Sequence, residues 1–161
     1  IYEISASYPE LNKWYGWLAG LAYTLPYSMM GLVVGAFSHK VNRKFMLGCT
    51  MMLGGLTQFM AGTINSFPVL CGMRVLHGSL NSATTPLTYS LVSDYVPPNR
   101  RATANSILSS AIYLGIALSS LSILLIKSHG WRWAYQFSGV CGIALGAACM
   151  MFIKEPKRNT F

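Results

Sequence analysis

The stretch that decides the fold is Arg74-Val-Leu-His77-Gly78-Ser-Leu-Asn81-Ser82-Ala-Thr-Thr85-Pro86-Leu-Thr88. The next charged residue after Arg74 is Asp94, so 19 uncharged residues separate the two charges. A helix needs roughly 20 such residues to cross the apolar core of a bilayer. If the helix begins near Pro68, Arg74 lies on the order of 9 Å inside it. The stretch therefore predicts a transmembrane helix that carries an arginine.

An arginine at that depth costs a few kcal/mol unless it is paired or reaches water, which makes it a functional candidate. The alternative is a side chain that merely extends along the helix until its guanidinium reaches the headgroups. Polar and small residues at helical spacing share one face with Arg74: His77, Gly78, Asn81, Thr85 and Thr88. A face of this kind is typical of a helix that lines a polar interior.

The composition points the same way. Hydrophobic residues make up 53% of the 161 residues and charged residues only 10%, against about 25% charged residues in soluble domains. The net charge is +8, but the basic residues lie in short segments between apolar runs, which favours anionic headgroups over nucleic acid as their partner. The sequence shows no metal-ligand spacing, no glycine-rich phosphate loop and no clustered histidines, so we predict no enzyme, cofactor or metal site.

The uncharged runs predict an all-α integral membrane protein with five spans. The third begins near Pro68, because Asn65-Ser66-Phe67-Pro68 interrupts a run too long for one span, and Pro97-Pro98 ends it. Glycines spaced by three or four residues in the first and fifth spans predict close helix packing. The predicted spans are residues 14–38, 45–64, 68–94, 102–126 and 133–153.

Cations are unevenly divided between the two ends of these spans. The segments 39–44, 95–101 and 154–161 hold eight lysines and arginines, whereas the opposite ends hold three. The positive-inside rule therefore places those three segments on the cytoplasmic side, in a membrane that the sequence does not identify. This leaves the N-terminus on the other side and predicts a preceding helix.

Three motifs in order resemble the major facilitator superfamily. Gly35-Ala-Phe-Ser-His39-Lys40-Val-Asn42-Arg43-Lys44 resembles its cytoplasmic loop between the second and third helices. Arg74-x3-Gly78-x3-Ser82-x3-Pro86 is similar to its fourth-helix motif, and Gly130-Trp-Arg-Trp-Ala-Tyr135 resembles the start of its sixth helix. Asn42-Arg43-Lys44-Phe45 and the Pro-Pro-x-Arg-Arg-Ala turn look most like the spinster-type and organic-anion branches.

The resemblance implies that residues 1–161 form helices two to six of a twelve-helix transporter, without helix one and the second six-helix bundle. It implies alternating-access secondary transport of a small anionic or amphipathic organic solute, with a proton as a candidate coupling ion. The expected partners are the bilayer, the missing helices, the solute and further membrane subunits. The alternative is a non-transporting membrane subunit derived from a transporter, which the half-length chain and the altered loop favour.

Two positions depart from the loop motif, which has Asp where His39 stands and Gly where Asn42 stands. His39 has no fixed negative charge and titrates near neutral pH. Asn42 tolerates the left-handed backbone that the motif's glycine serves. We therefore expect either a weakened gate or an ionic contact carried by Asp94, paired with Arg43 or Arg101.

The residues we predict to take part fall into two groups. Arg74 needs a negative partner from a carboxylate on the missing helices or from an anionic substrate, and Asp94 lies roughly 30 Å away along the same helix. For Asn81, Thr85, Tyr113 and Tyr27, helix–helix hydrogen bonding is the competing interpretation, and for Asp94 it is an exposed ion pair. His77, one turn from Arg74, is a candidate proton relay, and the like charge of Arg74 is the argument against that role. The candidates for substrate binding or coupling are Arg74, His77, Asn81, Thr85, Tyr113 and Tyr27. The candidates for gating are Gly35, His39, Asn42, Arg43, Asp94 and Arg101.

Overall fold

The computed structural model describes residues 20–37 and 42–154, and this part of the chain forms an all-α bundle, which confirms the predicted class. A single 3-10 turn, Pro98–Arg100, interrupts the series among these residues. The helices are α1 (Ala22–Phe37), α2 (Arg43–Ala61), α3 (Phe67–Asn81), α4 (Thr84–Tyr95), α5 (Arg101–Ser120), α6 (Ser122–His129) and α7 (Trp131–Phe152). The predicted start of the first span, at residue 14, lies outside the described residues.

The helix boundaries follow from local chemistry. Asn42 precedes α2, and its side chain accepts a hydrogen bond from the backbone N–H of Phe45 at 2.9 Å, which caps the helix. Pro68 lies in the first turn of α3, where its missing N–H costs nothing. Gly130 has a φ of 85°, a left-handed conformation that glycine adopts easily. The predicted turn between the fourth and fifth spans therefore shrinks to this one residue.

The third predicted span is divided, which corrects the expectation of one continuous helix over 68–94. The series of helical backbone hydrogen bonds is interrupted at Ser82 and Ala83, although both residues keep helical dihedral angles. The cause is Pro86: it has no N–H for the carbonyl of Ser82, and its ring crowds that carbonyl.

The fourth predicted span is divided as well, at Leu121, and it continues to His129 instead of ending at 126. The hydroxyls of Ser119 and Ser120 both donate to the carbonyl of Ile116, at 2.7 and 3.4 Å. Serine hydroxyls that bond back to the preceding turn compete with the backbone ladder and often bend helices.

Among the described residues, α2 and α7 share the most extensive helix contact, and glycines make the approach possible. A Cβ atom placed on Gly55 would stand 2.6 Å from the backbone nitrogen of Ile143 and 2.7 Å from the carbonyl oxygen of Gly139. On α7, a Cβ placed on Gly139 would stand 2.5 Å from the backbone nitrogen of Phe59. The close packing predicted for the fifth-span glycines is thus confirmed. In the first span, an added Cβ on Gly20 or Gly35 meets nothing within 4 Å in the part of the chain that is described.

The outer surface of the bundle is strongly apolar. Large hydrophobic side chains such as Leu32, Ile107 and Phe152 are exposed. The helical stretch Pro98–His129 and the helix Trp131–Phe152 are each long and apolar enough to cross a membrane, whereas Ala22–Phe37 is apolar but shorter. Such a surface needs lipid or further protein to cover it.

Candidate functional site

Arg74 lies on α3 and turns toward α7. It is half-buried, and its guanidinium carbon lies 5.0 Å from the centroid of the Tyr135 ring. A guanidinium over an aromatic face is attracted by the negative π surface, and the attraction strengthens where water is excluded. The stacking fixes the position of the charge against the bundle.

His77 lies one turn further along α3 and contacts α2. Its Nδ1 is 3.0 Å from the carbonyl oxygen of Gly54 and 3.2 Å from Oγ1 of Thr57, and its Nε2 is 2.8 Å from Nδ2 of Asn81. A carbonyl oxygen can only accept, so Nδ1 must carry the proton. In the neutral ring Nε2 is then an acceptor, which matches the amide N–H of Asn81 that faces it. With the amide of Asn81 in this orientation, the contacts fit the neutral Nδ1–H tautomer of His77.

Helix α1 adds two tyrosines to this polar face. The Tyr27 hydroxyl lies 3.1 Å from Oγ1 of Thr85 on α4. The Tyr23 ring stacks on Tyr27 with centroids 5.8 Å apart and lies 5.9 Å from the imidazole of His77. Hydroxyl and ring contacts thus link α1 to both halves of the divided third span.

A cavity of about 250 Å³ lies between α2, the α3–α4 break and α7. Its polar groups come from all of these helices, and three glycines leave the room for it. Oγ1 of Thr84 is buried and has no hydrogen-bond partner among the described residues. The lining residues are Met51, Gly54, Gly55, Gln58, His77, Asn81, Thr84, Ser138 and Gly142.

The predicted gating residues include one ion pair. Arg43 donates to Oδ2 of Asp94 at 2.5 Å and to Oγ of Ser90 at 2.7 Å. The two charged side chains are only 5% and 16% exposed, so the pair is not the exposed contact of the competing interpretation. Arg101 instead donates from Nε to the carbonyl of Val96 at 3.2 Å. Of the two partners predicted for Asp94, the structure shows Arg43.

A second contact lies at the same end of the bundle, where the Tyr95 hydroxyl donates to the backbone carbonyl of Lys154. The start of α2, the end of α4 and the residues that follow α7 therefore meet at one end of the described bundle. This agrees with their assignment to one side of the membrane, and the cytoplasmic identity of that side stays a prediction.

Three predicted site residues lie away from the contacts described above, and a fourth is not described. Asn42 adopts an extended backbone, with φ −71° and ψ 106°, and caps α2, so it does not use the left-handed conformation that it would tolerate. Gly35 is exposed at the end of α1. Tyr113 is 72% exposed on α5 and does not join the cluster around His77. His39 lies outside the described residues.

Several side chains at the site were not among the predicted candidates. Thr57 and Gln58 come from α2, Ser138 and Tyr135 come from α7, and Thr84 begins α4. Each is a polar or aromatic residue inside an apolar run. Which of these residues faces the third span depends on how the helices pack, and one helix's sequence does not contain that information.

Comparisons with known proteins agree with the architecture. The chain is 26% identical over 149 residues to the sphingosine-1-phosphate transporter SPNS2 of Danio rerio, an alignment that covers 88% of the chain and 30% of that protein. It is 30% identical over 111 residues to the probable galactarate/D-glucarate transporter GudP of Bacillus subtilis, covering 68% of the chain and 24% of that protein. The chain thus spans about a quarter to a third of the length of these relatives.

A solved structure shows the same fold. A bacterial homologue of the human lysosomal transporter Spinster, crystallised in an inward-facing and unoccupied conformation, superposes with a TM-score of 0.75 at 24% identity. The match covers 97% of this chain and 39% of that one. The sequence model of the Major Facilitator Superfamily matches residues 2–161, and the relatives are integral, multi-pass membrane transporters. With a helical bundle, an apolar exterior and a polar interior built around Arg74, the chain belongs to the Major Facilitator Superfamily.

Proposed function

We propose that this chain forms helices two to six of a secondary active transporter that moves a small anionic or amphipathic organic solute by alternating access. In this proposal a preceding helix and a second bundle complete the solute pathway, and a proton is the coupling ion. The observation that carries the proposal is the position of Arg74, half-buried and stacked on Tyr135 beside the polar cluster of His77 and Asn81. A membrane protein that needs only to pack gains nothing from a charge at this depth.

An anionic solute fits the charge balance of the described residues. Asp94 is the acidic residue among them, and it is engaged with Arg43 at the end of the bundle. We infer that Arg74 exchanges its interactions between an acid on a neighbouring helix and a negative group on the solute. The compounds named for two relatives, sphingosine-1-phosphate and galactarate or D-glucarate, are themselves acidic.

The gating role proposed for Asp94 and Arg43 rests on their burial. A pair that loses water must keep both partners, because a single buried charge is strongly destabilising. The pair joins the start of α2 to the end of α4, so a motion during alternating access that separates these two helix ends would have to break it. Four other predicted gating residues lie close to Arg43 or Asp94 in the sequence, and we propose that they shape the same gate: Gly35, His39, Asn42 and Arg101.

The test is uptake of labelled solute by the native protein reconstituted into liposomes, with D-glucarate and sphingosine-1-phosphate as probes. Arg74→Ala removes the charge, and Arg74→Lys keeps it but loses the planar stacking surface. Both should abolish uptake. Arg132→Ala is the matched control, because Arg132 also stacks on an aromatic ring, 5.2 Å from Trp131, but is exposed at the start of α7. Full uptake by Arg74→Ala would refute the proposal.

The non-transporting subunit makes a different prediction. It requires no uptake of either probe by the wild-type protein and an intact mass near 17.6 kDa. A transporter with the length of the relatives would have a mass several-fold larger. Mass spectrometry of the polypeptide from its native membrane separates the two cases before any transport assay.

A further inference from the structure

The amide of Asn81 stands between His77 and the cavity. Its Nδ2 faces Nε2 of His77 at 2.8 Å, so its Oδ1 points to the other side. On that side lies Gly54, where an added Cβ would stand 3.3 Å from Oδ1. Both Asn81 and Gly54 line the cavity. While His77 is neutral, Asn81 therefore offers the cavity a hydrogen-bond acceptor.

A proton that binds His77 must go to Nε2, because Nδ1 already carries one and donates to the carbonyl of Gly54. Nε2–H would then oppose the amide N–H of Asn81, which places two donors face to face. Rotation of the amide by about 180° removes the conflict, and this terminal torsion is broad and soft. After rotation Oδ1 accepts from the imidazolium, and the amide N–H₂ turns toward Gly54 and the cavity.

The described neighbours of His77 do not neutralise its added charge. Tyr23 faces it from α1 and Thr57 from α2, while Arg74 is a like charge one turn away on α3. On α7, Tyr135 is stacked on Arg74. Within residues 20–37 and 42–154 the acid Asp94 is paired elsewhere. A charge in a region of low dielectric needs a partner of opposite sign, and the cavity is the space next to it.

Other lining groups can donate into the same space. The buried hydroxyl of Thr84 has no partner among the described residues, and Nε2 of Gln58 is 3.5 Å from Oγ of Ser138, at the limit of a hydrogen bond. With the rotated amide, these groups would present donors to the cavity from α2, α3 and α4. Charge-assisted bonds to carboxylate or phosphate oxygens are the strongest that such donors form.

We propose that this cavity is a proton-dependent binding site for a small oxyanion, a carboxylate or phosphate group, and that Asn81 sets its specificity by rotating its amide when His77 is protonated. The neutral state offers an acceptor and repels an anion, and the protonated state offers donors and a positive charge. A proton and an anionic group would therefore bind together. The biological role of this site rests on the proposed transport function, but binding of the proton and the anion can be measured without transport.

The experiment is NMR of the native protein in lipid nanodiscs, labelled with ¹⁵N in histidine and asparagine side chains. His77→Gln and Asn81→Leu assign the two signals. At high pH we expect the Nδ1–H tautomer, and at low pH we expect protonation at both ring nitrogens together with a changed Asn81 amide signal. Acetate and inorganic phosphate are the anion probes, with chloride at equal ionic strength as the reference. Either probe should increase the protonated fraction of His77 at a fixed pH, and the difference between them identifies the preferred oxyanion.

Gly54→Ala tests the rotation without removing a polar group, because the added methyl crowds the amide of Asn81. It should suppress both the amide change and the effect of the anions. Gly72→Ala on α3, where an added Cβ meets nothing within 4 Å, should leave both intact. An Asn81 amide that stays unchanged while His77 takes up a proton would overturn the inference, as would an Nε2–H tautomer at high pH. If either of these results came with solute uptake by the wild-type protein, the proposed carrier function would be retained and only the proposed binding site would be refuted.

Discussion

The contact between α2 and α7 allows a quantitative prediction for Gly55→Ala. The new methyl carbon would stand 2.6 Å from the nitrogen of Ile143 and 2.7 Å from the carbonyl oxygen of Gly139. Both atoms belong to the backbone of α7, so the strain cannot be relieved by turning a side chain. Restoring ordinary van der Waals contact requires the helices to separate by roughly 1 Å, and overpacking of this kind costs about 1–3 kcal/mol.

The change also has a favourable component, since alanine stabilises a helix interior by up to about 1 kcal/mol relative to glycine. With strain at the upper end of its range, the net loss is about 2 kcal/mol. For a chain of this size that corresponds to a fall of roughly 4–8 °C in the midpoint of thermal unfolding. The assay is tryptophan fluorescence of the purified protein during heating in one detergent.

Gly115→Ala on α5 is the control, because an added Cβ there meets nothing within 4 Å and only the helix propensity changes. Gly139→Ala should reproduce the loss from the opposite helix, since its Cβ would stand 2.5 Å from the nitrogen of Phe59. The double variant should lose less than the two single losses added, because one separation relieves both clashes. A midpoint for Gly55→Ala equal to that of Gly115→Ala would show that the two backbones are not in contact.

Two further predictions concern polar contacts. Asp94→Asn should lower the free energy of unfolding by about 3 kcal/mol, because it leaves the buried Arg43 without its charge partner. In a spectroscopic distance measurement across the bundle, it should also change the ratio of inward- to outward-facing molecules, and an unchanged ratio would remove the gating role. Tyr27→Phe should cost about 0.5–1.5 kcal/mol through the lost bond to Thr85, and Thr85→Val should add nothing further in the double variant if that bond is the cause.

Much of the fold could be predicted from the sequence because long runs without charged residues identify membrane helices. The run around Arg74 identified α3 and α4, and the charged segments marked the turns between spans. The division at Ser82 and Ala83 was missed even though Pro86 was visible. A proline in a membrane span can interrupt or bend the helix, or the helix can continue when neighbouring groups satisfy the freed backbone carbonyl. The packing around the proline decides between these outcomes.

The site was harder to predict than the fold. The helical spacing of His77 and Asn81 placed the two residues on one face. It did not predict that the carbonyl of Gly54, on another helix, would accept from the ring of His77. The choice of Arg43 over Arg101 for Asp94 depends likewise on which helices are neighbours. Such pairings arise between segments distant in the chain, where spacing along one helix carries no information.

The glycine contact between α2 and α7 limits how the bundle can move. Along α2, Gly48 and Gly55 are seven residues apart, and Gly139 and Gly146 have the same interval on α7. Sliding one helix past the other by a single turn would push side chains of ordinary size against bare main chain. The pair should therefore shift as one rigid body during any conformational cycle, and the bending needed for exchange between states should fall on the divided helix at Ser82 and Ala83.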